Sequence, residues 1–261
     1  MRYIFIFCIS FLFFYTISIA QDKEIDKAVK CGLTYLTKND NPTPTTIFAL
    51  RYINDCFLGK QDSIDKFIKR YIKKTASDNE SVSFMRLLLP GNFLDTQNIS
   101  RWSFLDKITL AALYCDLFPV PDNYLRKLNS YADTSDIYLI THCSLALQFL
   151  HENKCFSSEN SEYKELHTRL IKKTTVFLDS TETVNDPYVE SVMMLSYVGV
   201  RGNIRESYIQ KILKAQLPDG GWSRNKIKNY IKSDDHTTVL AVWALSAYSN
   251  SRDSTVTWIM K

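Results

Sequence analysis

Apolar residues recur along the chain at helical spacing, in two kinds of segment that alternate. The first kind is amphipathic, with Lys or Arg on the face opposite the apolar positions, and comprises residues 26–36, 64–74, 123–131, 163–178 and 206–216. The second kind is rich in Ala and Leu and nearly free of charge, and comprises residues 45–53, 108–117, 141–150, 189–198 and 236–245. The alternation predicts five antiparallel helix hairpins, each with an outer amphipathic helix and an inner apolar one.

Helix hairpins can stack into an open solenoid or close into a ring with the apolar helices inside. Inner helices that are apolar on nearly all sides favour the ring, because a solenoid leaves its concave face in water. We therefore expect an all-α protein, an α/α toroid of about five hairpins, in one domain over residues 21–261. Residues 81–104 do not fit the repeat and are predicted to be an irregular insertion with one short helix at 82–89.

Composition agrees with a helical globular fold. The chain of 261 residues has only 7 Gly and 7 Pro, which argues against sandwiches, barrels and propellers, since their turns depend on these residues. Apolar residues make up 45% and charged residues 23%, so a disordered chain is excluded. A formal charge of +4 is too small to indicate a nucleic-acid surface.

The first 20 residues have the pattern of a secretory signal peptide. Arg2 gives the positive start, an apolar run extends from Ile4 to Ile19, and small residues at Ser18 and Ala20 predict cleavage after Ala20. A retained membrane anchor is the alternative, but the run is short for a full span. No later segment has 18 uninterrupted apolar residues, so we expect no stable membrane insertion after cleavage and a secreted or periplasmic protein.

Five cysteines remain after residue 20, and an odd number excludes complete pairing within one chain. Because most of them fall in apolar helical stretches and no pair has metal-ligand spacing, we expect buried core thiols. They are Cys31, Cys56, Cys115, Cys143 and Cys155.

The sharpest local motif is the heptapeptide from Gln216 to Trp222, which reads Gln-Leu-Pro-Asp-Gly-Gly-Trp and precedes the apolar helix at 236–245. It resembles the repeat of the terpenoid cyclase and protein prenyltransferase superfamily, the repeat of the squalene cyclases, whose members are α/α toroids. The resemblance implies an outer helix ending in Gln, a tight Asp-Gly turn and an aromatic residue that covers the helix end. A structural role is therefore favoured for Trp222. Similar turns occur in polysaccharide lyases with the same fold, so the motif indicates a fold more than a reaction.

The catalytic motifs of that superfamily are not found. The cyclase motif Asp-x-Asp-Asp is missing, and the nearest approach is the segment from Ser233 to His236. In the zinc-binding branch, His236 matches the His ligand and Asp186 falls near the Asp ligand, but Tyr188 stands where that branch needs a Cys. A site of one imidazole and one carboxylate is poor for zinc. We therefore predict no metal and no cofactor.

Aligning the inner helices on their apolar cores places His236, Asp186 and Tyr138 at corresponding helix starts, with Asp234 and Asp235 nearby. In a ring these residues would share one mouth, at the positive ends of the inner helices. Such a set suits general acid–base chemistry on a sugar, with His236 and either Asp235 or Asp186 as acid and base and Tyr138 assisting. The alternative is that Asp234, Asp235 and Asp186 only cap or begin helices.

A basic loop separates the Trp222 turn from His236 and is long for a hairpin connection. The candidate substrate contacts are Arg224, Lys226 and Lys228, together with Trp222 and Asp234 at its two ends. The loop can bind an acidic polysaccharide, or it can be an ordinary solvated loop. Two functions follow: a non-catalytic exported module that binds a glycan or a protein, or a polysaccharide lyase or glycoside hydrolase acting at the mouth.

Overall fold

A computed structural model describes residues 21–77, 82–95, 102–157, 159–225, 231–250 and 257–260. The predicted signal peptide, Lys226 and Lys228 lie outside these residues. Within the described part of the chain, none of the helices has the length and apolar character needed to cross a membrane.

The described chain is mostly helical, which confirms the all-α prediction. The ten α-helices are α1 (21–38), α2 (Pro44–Cys56), α3 (Asp62–Ser77), α4 (Phe104–Leu113), α5 (Tyr124–Tyr131), α6 (Ile137–Glu152), α7 (Ser161–Ser180), α8 (Asp186–Tyr197), α9 (Glu206–Lys214) and α10 (Asp235–Ser249). Two 3₁₀ helices cover Val82–Leu87 and Arg201–Asn203. One short antiparallel ribbon pairs β1 (Trp222–Ser223) with β2 (Ser233–Asp234).

The helices alternate as the hydrophobic pattern predicts, with the even-numbered apolar helices most deeply buried. In α10, all but a few residues of the helix lie in the core, whereas α9 buries one face through Tyr208, Ile209, Ile212 and Leu213. The predicted helix at 82–89 is the 3₁₀ helix Val82–Leu87. Helix α4 starts four residues earlier than the predicted segment 108–117, because Ser103 is its N-cap and forms a capping box with Asp106, and it ends at Leu113.

The apolar helices pack against one another in succession. Helix α4 contacts α6, α6 contacts α8, α8 contacts α10, and α10 contacts α2. The 3₁₀ helix Val82–Leu87 contacts both α3 and α4. Helices α3, α5, α7 and α9 each contact an apolar neighbour, as α3 covers α2 and α7 covers α6 and α8. Because the sides of the apolar helices are covered, polar side chains can come together only at the helix ends.

The turn at residues 216–222 links the first helix to the last. Gly220 has φ of +92°, and the Nε2 of Gln216 donates to the carbonyls of Gly220 and of Ala28 in α1, both at 2.9 Å. The Oδ1 of Asp219 accepts from the Gly221 amide at 3.1 Å. Trp222 is 1% exposed and its indole donates to the Ile212 carbonyl at 2.8 Å, which gives it the structural role that the sequence favours.

Cys115 and Cys155 form a disulfide, so the prediction of a free core thiol is wrong for these two residues. They follow the C-terminal ends of α4 and α6, and the packing of these two helices brings the ends together. Cys56 and Cys143 are buried free thiols, as predicted, while Cys31 is a free thiol that is partly exposed.

Candidate functional site

A cavity of about 480 Å³ lies among the apolar helices. Its polar lining comes from the first two turns of the even-numbered helices and from Arg224, and its apolar lining comes mostly from later turns of α2, α6, α8 and α10. The apolar lining residues are Phe48, Phe84, Leu87, Leu105, Leu145, Phe149, Met193, Met194, Leu240 and Trp258. The cavity therefore has a polar end and an apolar body.

Asp186 is the centre of the polar end and is fully buried. Its Oδ2 accepts a hydrogen bond from the Tyr138 hydroxyl at 2.9 Å, and its Oδ1 accepts one from the Thr237 hydroxyl at 2.7 Å. The Nε2 of His236 lies 3.7 Å from Oδ1, and the Nε of Arg224 lies 3.9 Å from Oδ2. Three of the predicted residues, Tyr138, Asp186 and His236, thus meet at one cavity.

Asp186 is available for these contacts because it does not cap its own helix. The side chain of Asn185 caps α8 by accepting from the Tyr188 amide, and Pro187 occupies the first turn. The capping explanation suggested by the sequence therefore applies to Asn185. Burial, together with the neighbouring Asp186 carboxylate, raises the pKa of the Tyr138 hydroxyl well above its ordinary value.

Glu190 lies one helical turn after Asp186 and lines the same cavity. Its Oε1 accepts from the Thr141 hydroxyl at 2.6 Å and lies 3.6 Å from the Nδ1 of His142. Burial raises the pKa of the Glu190 carboxyl, while His142 and Thr141 act in the opposite direction. His142 is held in place by its Nδ1, which lies 2.8 Å from the Tyr138 carbonyl.

Glu190 and His142 are not among the residues predicted for the site. The predicted residues lie at helix starts, whereas these two lie in the second turns of α8 and α6. A spacing of four residues, from Asp186 to Glu190 and from Tyr138 to His142, places each pair on one helix face, and this was the signal available in the sequence.

Asp235 and Asp234 do not join this cluster. The Nδ2 of Asn39 donates to Asp235 Oδ2, and Tyr35 of α1 also bonds to that carboxyl, so Asp235 faces α1. Burial raises the pKa of Asp235. Asp234 caps α10 by accepting from the Thr237 amide at 3.0 Å. The expected convergence of Asp235 with His236 is therefore not found, and Asp234 has the capping role that was the alternative.

The remaining candidate contacts are divided. Arg224 lines the cavity, although its side chain is 58% exposed. Trp222 does not line the cavity, and its burial in the core agrees with the turn role rather than with contact to a substrate. Lys226 and Lys228 lie outside the described residues.

Residues 257–260 contribute to the apolar part of the cavity through Trp258. The backbone amides of Trp258 and Ile259 donate to Glu152 Oε2 at 2.9 and 3.1 Å, and the Tyr197 hydroxyl donates to Oε1 at 2.7 Å. Burial raises the pKa of Glu152, against the effect of these hydrogen bonds. The Trp258 ring packs against Trp243 at a centroid distance of 4.9 Å, so this segment is fixed by both polar and aromatic contacts.

In the described part of the chain, Asp186, Glu190 and His236 are the group that can present three metal ligands, with atoms within 4.8 Å of one another. The set does not fit the zinc site that the resemblance implies, because the thiolate is missing. Both Asp186 oxygens already accept hydroxyl hydrogen bonds, and the Arg224 guanidinium adds positive charge beside them. No chemical step is therefore assigned to a metal.

Comparisons with known protein families, with curated proteins and with solved structures found no match to this chain.

Proposed function

We propose that the five hairpins close into an α/α toroid and that the cavity is its interior. The succession of contacts from α4 through α6, α8 and α10 to α2 supports this arrangement, and the 3₁₀ helix Val82–Leu87 bridges from α3 to α4. The resemblance of the turn at 216–222 to the toroid repeat supports it as well. Residues 1–20 support the accompanying proposal that the protein is exported.

We infer that the protein is a binding module for a small molecule with an apolar body and a polar head group. The observation that carries this function is the cavity itself, in which ten apolar side chains lead away from a cluster of Asp, Glu, His and Tyr. A cavity with mainly apolar walls and a few convergent polar groups is typical of a small-ligand site. A glycan has too little apolar surface to cover these walls. We therefore favour a small amphiphile as the ligand, in place of the glycan or protein suggested by the sequence.

The test uses 1-decanol as the probe and thermal unfolding as the measurement. A ligand that binds only the folded state raises the unfolding temperature, by an amount that grows with the logarithm of its free concentration once this exceeds the Kd. We expect decanol to raise the Tm of the wild-type protein and of the control Leu117→Trp, which changes an exposed leucine outside the cavity. Leu145→Trp places a larger ring in the cavity and should abolish the shift. Equal shifts in the two variants, or no shift in the wild type, would contradict the proposal.

A second candidate is an enzyme that uses general acid–base chemistry, such as a polysaccharide lyase or a glycoside hydrolase. The convergence of Tyr138, Asp186 and His236 favours it, since these are residue types that transfer protons in general acid–base catalysis. With acidic polysaccharides as substrates, this candidate predicts that His236→Gln stops the release of new reducing ends at an unchanged Tm. Release that persists in the variant would exclude His236 from the chemistry.

A further inference from the structure

The polar end of the cavity has more buried carboxyl groups than permanently charged cations. Asp186 and Glu190 are both buried carboxylates. Among the described lining residues, Arg224 is the one permanently charged cation, and it is largely exposed and pairs with Asp186 rather than Glu190. Asp106 adds a third carboxyl to the lining, although its side chain is engaged with Ser103.

Glu190 has unused hydrogen-bonding capacity. Its Oε1 accepts from Thr141, whereas within the described residues no hydrogen bond reaches its Oε2. Glu190 is buried, and the basic group beside it is the His142 imidazole at 3.6 Å, so it has no permanently charged partner in the part of the chain that the structure describes. Burying a carboxylate without such a partner is costly unless a ligand supplies one. A cationic ligand group would recover that cost by forming charge-assisted hydrogen bonds to Glu190.

We propose that the ligand's head group is a protonated amine bound at Glu190, with its apolar body extending past Met193 and Leu240 toward Trp258. This inference rests on the proposed small-molecule function. An ammonium group has three donors, and the unused Oε2 of Glu190 is the matching acceptor.

Two other head groups match the site less well. An anionic head group would meet two buried carboxyl groups, and like charges in that position repel one another. A bare metal ion would compete with Tyr138 and Thr237 for the oxygens of Asp186 and would leave the apolar walls without a partner. An amine with an apolar chain satisfies both parts of the cavity.

The experiment compares decylamine, 1-decanol and decanoate by isothermal titration calorimetry at pH 7. We expect the wild type to bind decylamine about tenfold or more tightly than decanol, as one hydrogen bond to a charged group provides. In Glu190→Gln, which keeps the shape of the side chain, this preference should fall to nearly one. The matched control Glu165→Gln changes an exposed carboxyl and should keep the preference.

Each other outcome has a distinct meaning. Equal binding of decylamine and decanol would overturn the amine head group and leave the apolar ligand in place. Binding of none of the three would remove the small-molecule function itself. Tightest binding of decanoate, or Zn²⁺ alone displacing decylamine, would assign the polar end to an anion or a metal instead.

Discussion

Replacing Gly220 by Ala tests how closely α1 is held against the turn that precedes α10. A Cβ at position 220 would lie 2.6 Å from the carbonyl oxygen of Cys31 and 2.9 Å from its carbonyl carbon. These are backbone atoms of α1, so relief requires movement of a whole helix. The φ of +92° adds a second cost, because residues with side chains rarely adopt this conformation.

The two costs are separable with other glycines of the same chain. Gly59 has φ of +68° but nothing within 4 Å of the added Cβ, and Gly202 has neither feature. A positive φ costs about 1–2 kcal/mol, and steric overpacking costs a further ~1–3 kcal/mol. Replacing Gly by Ala also restricts the unfolded chain, and this stabilises the folded state by about 0.4–1 kcal/mol. We therefore expect losses of about 3 kcal/mol for Gly220→Ala, about 1 kcal/mol or less for Gly59→Ala, and none for Gly202→Ala.

The assay is urea unfolding followed by far-ultraviolet circular dichroism, with all three variants measured at one pH. Only the order of the three free energies of unfolding is needed. If Gly220→Ala loses no more than Gly59→Ala, the close approach of Cys31 to the turn is wrong, and so is the link between α1 and α10 that depends on it.

Three further predictions concern a helix cap, the disulfide and a buried carboxyl. Asp234→Ala should destabilise the protein by about 1 kcal/mol, because α10 loses its N-cap. An unchanged Tm in calorimetry would mean that Asp234 does not stabilise the start of α10. Opening the Cys115–Cys155 bond, by dithiothreitol or by Cys155→Ser, should lower the free energy of unfolding by about 4 kcal/mol, since the two residues are 40 apart in sequence. If dithiothreitol lowers the urea midpoint by less than this loss requires, the bond constrains the unfolded chain little. Because burial raises the pKa of Glu152, the folded state retains a proton that the unfolded state releases, so stability should fall as pH rises above the ordinary carboxyl pKa. Glu152→Gln should flatten that slope, and an unchanged slope would exclude Glu152 as its source.

The helices were predictable because their signal is local. Alternating amphipathic and apolar segments indicate which face each helix buries, and Gly and Pro mark where the segments end. The cap of α4 shows the limit: Ser103 and Asp106 move the helix start to Phe104, earlier than the apolar residues alone indicate. The pairing of Cys115 with Cys155 depends on which helix ends meet, and this information is tertiary.

The candidate site was predicted in part for a similar reason. Asp186, Tyr138 and His236 were identified from equivalent positions at helix starts, and equivalent positions meet when the helices are packed side by side. Asp235 was expected beside His236 because the two are adjacent in sequence. Successive helical residues point about 100° apart, so His236 faces the cavity while Asp235 faces Asn39 of the neighbouring chain segment.

The contacts that attach α1 to the far end of the chain also determine how early the nascent protein can complete its fold. Gln216 bonds to Ala28 across 188 residues, and Asn39 bonds to Asp235 across 196. At about 5–20 residues per second, the ribosome completes that interval in roughly 10–40 s. During this time α1 has emerged without the segment that covers its inner face. Its apolar residues are then open to chaperones or targeting factors, and the same long-range closure makes the final folding step slow compared with that of a local helix bundle.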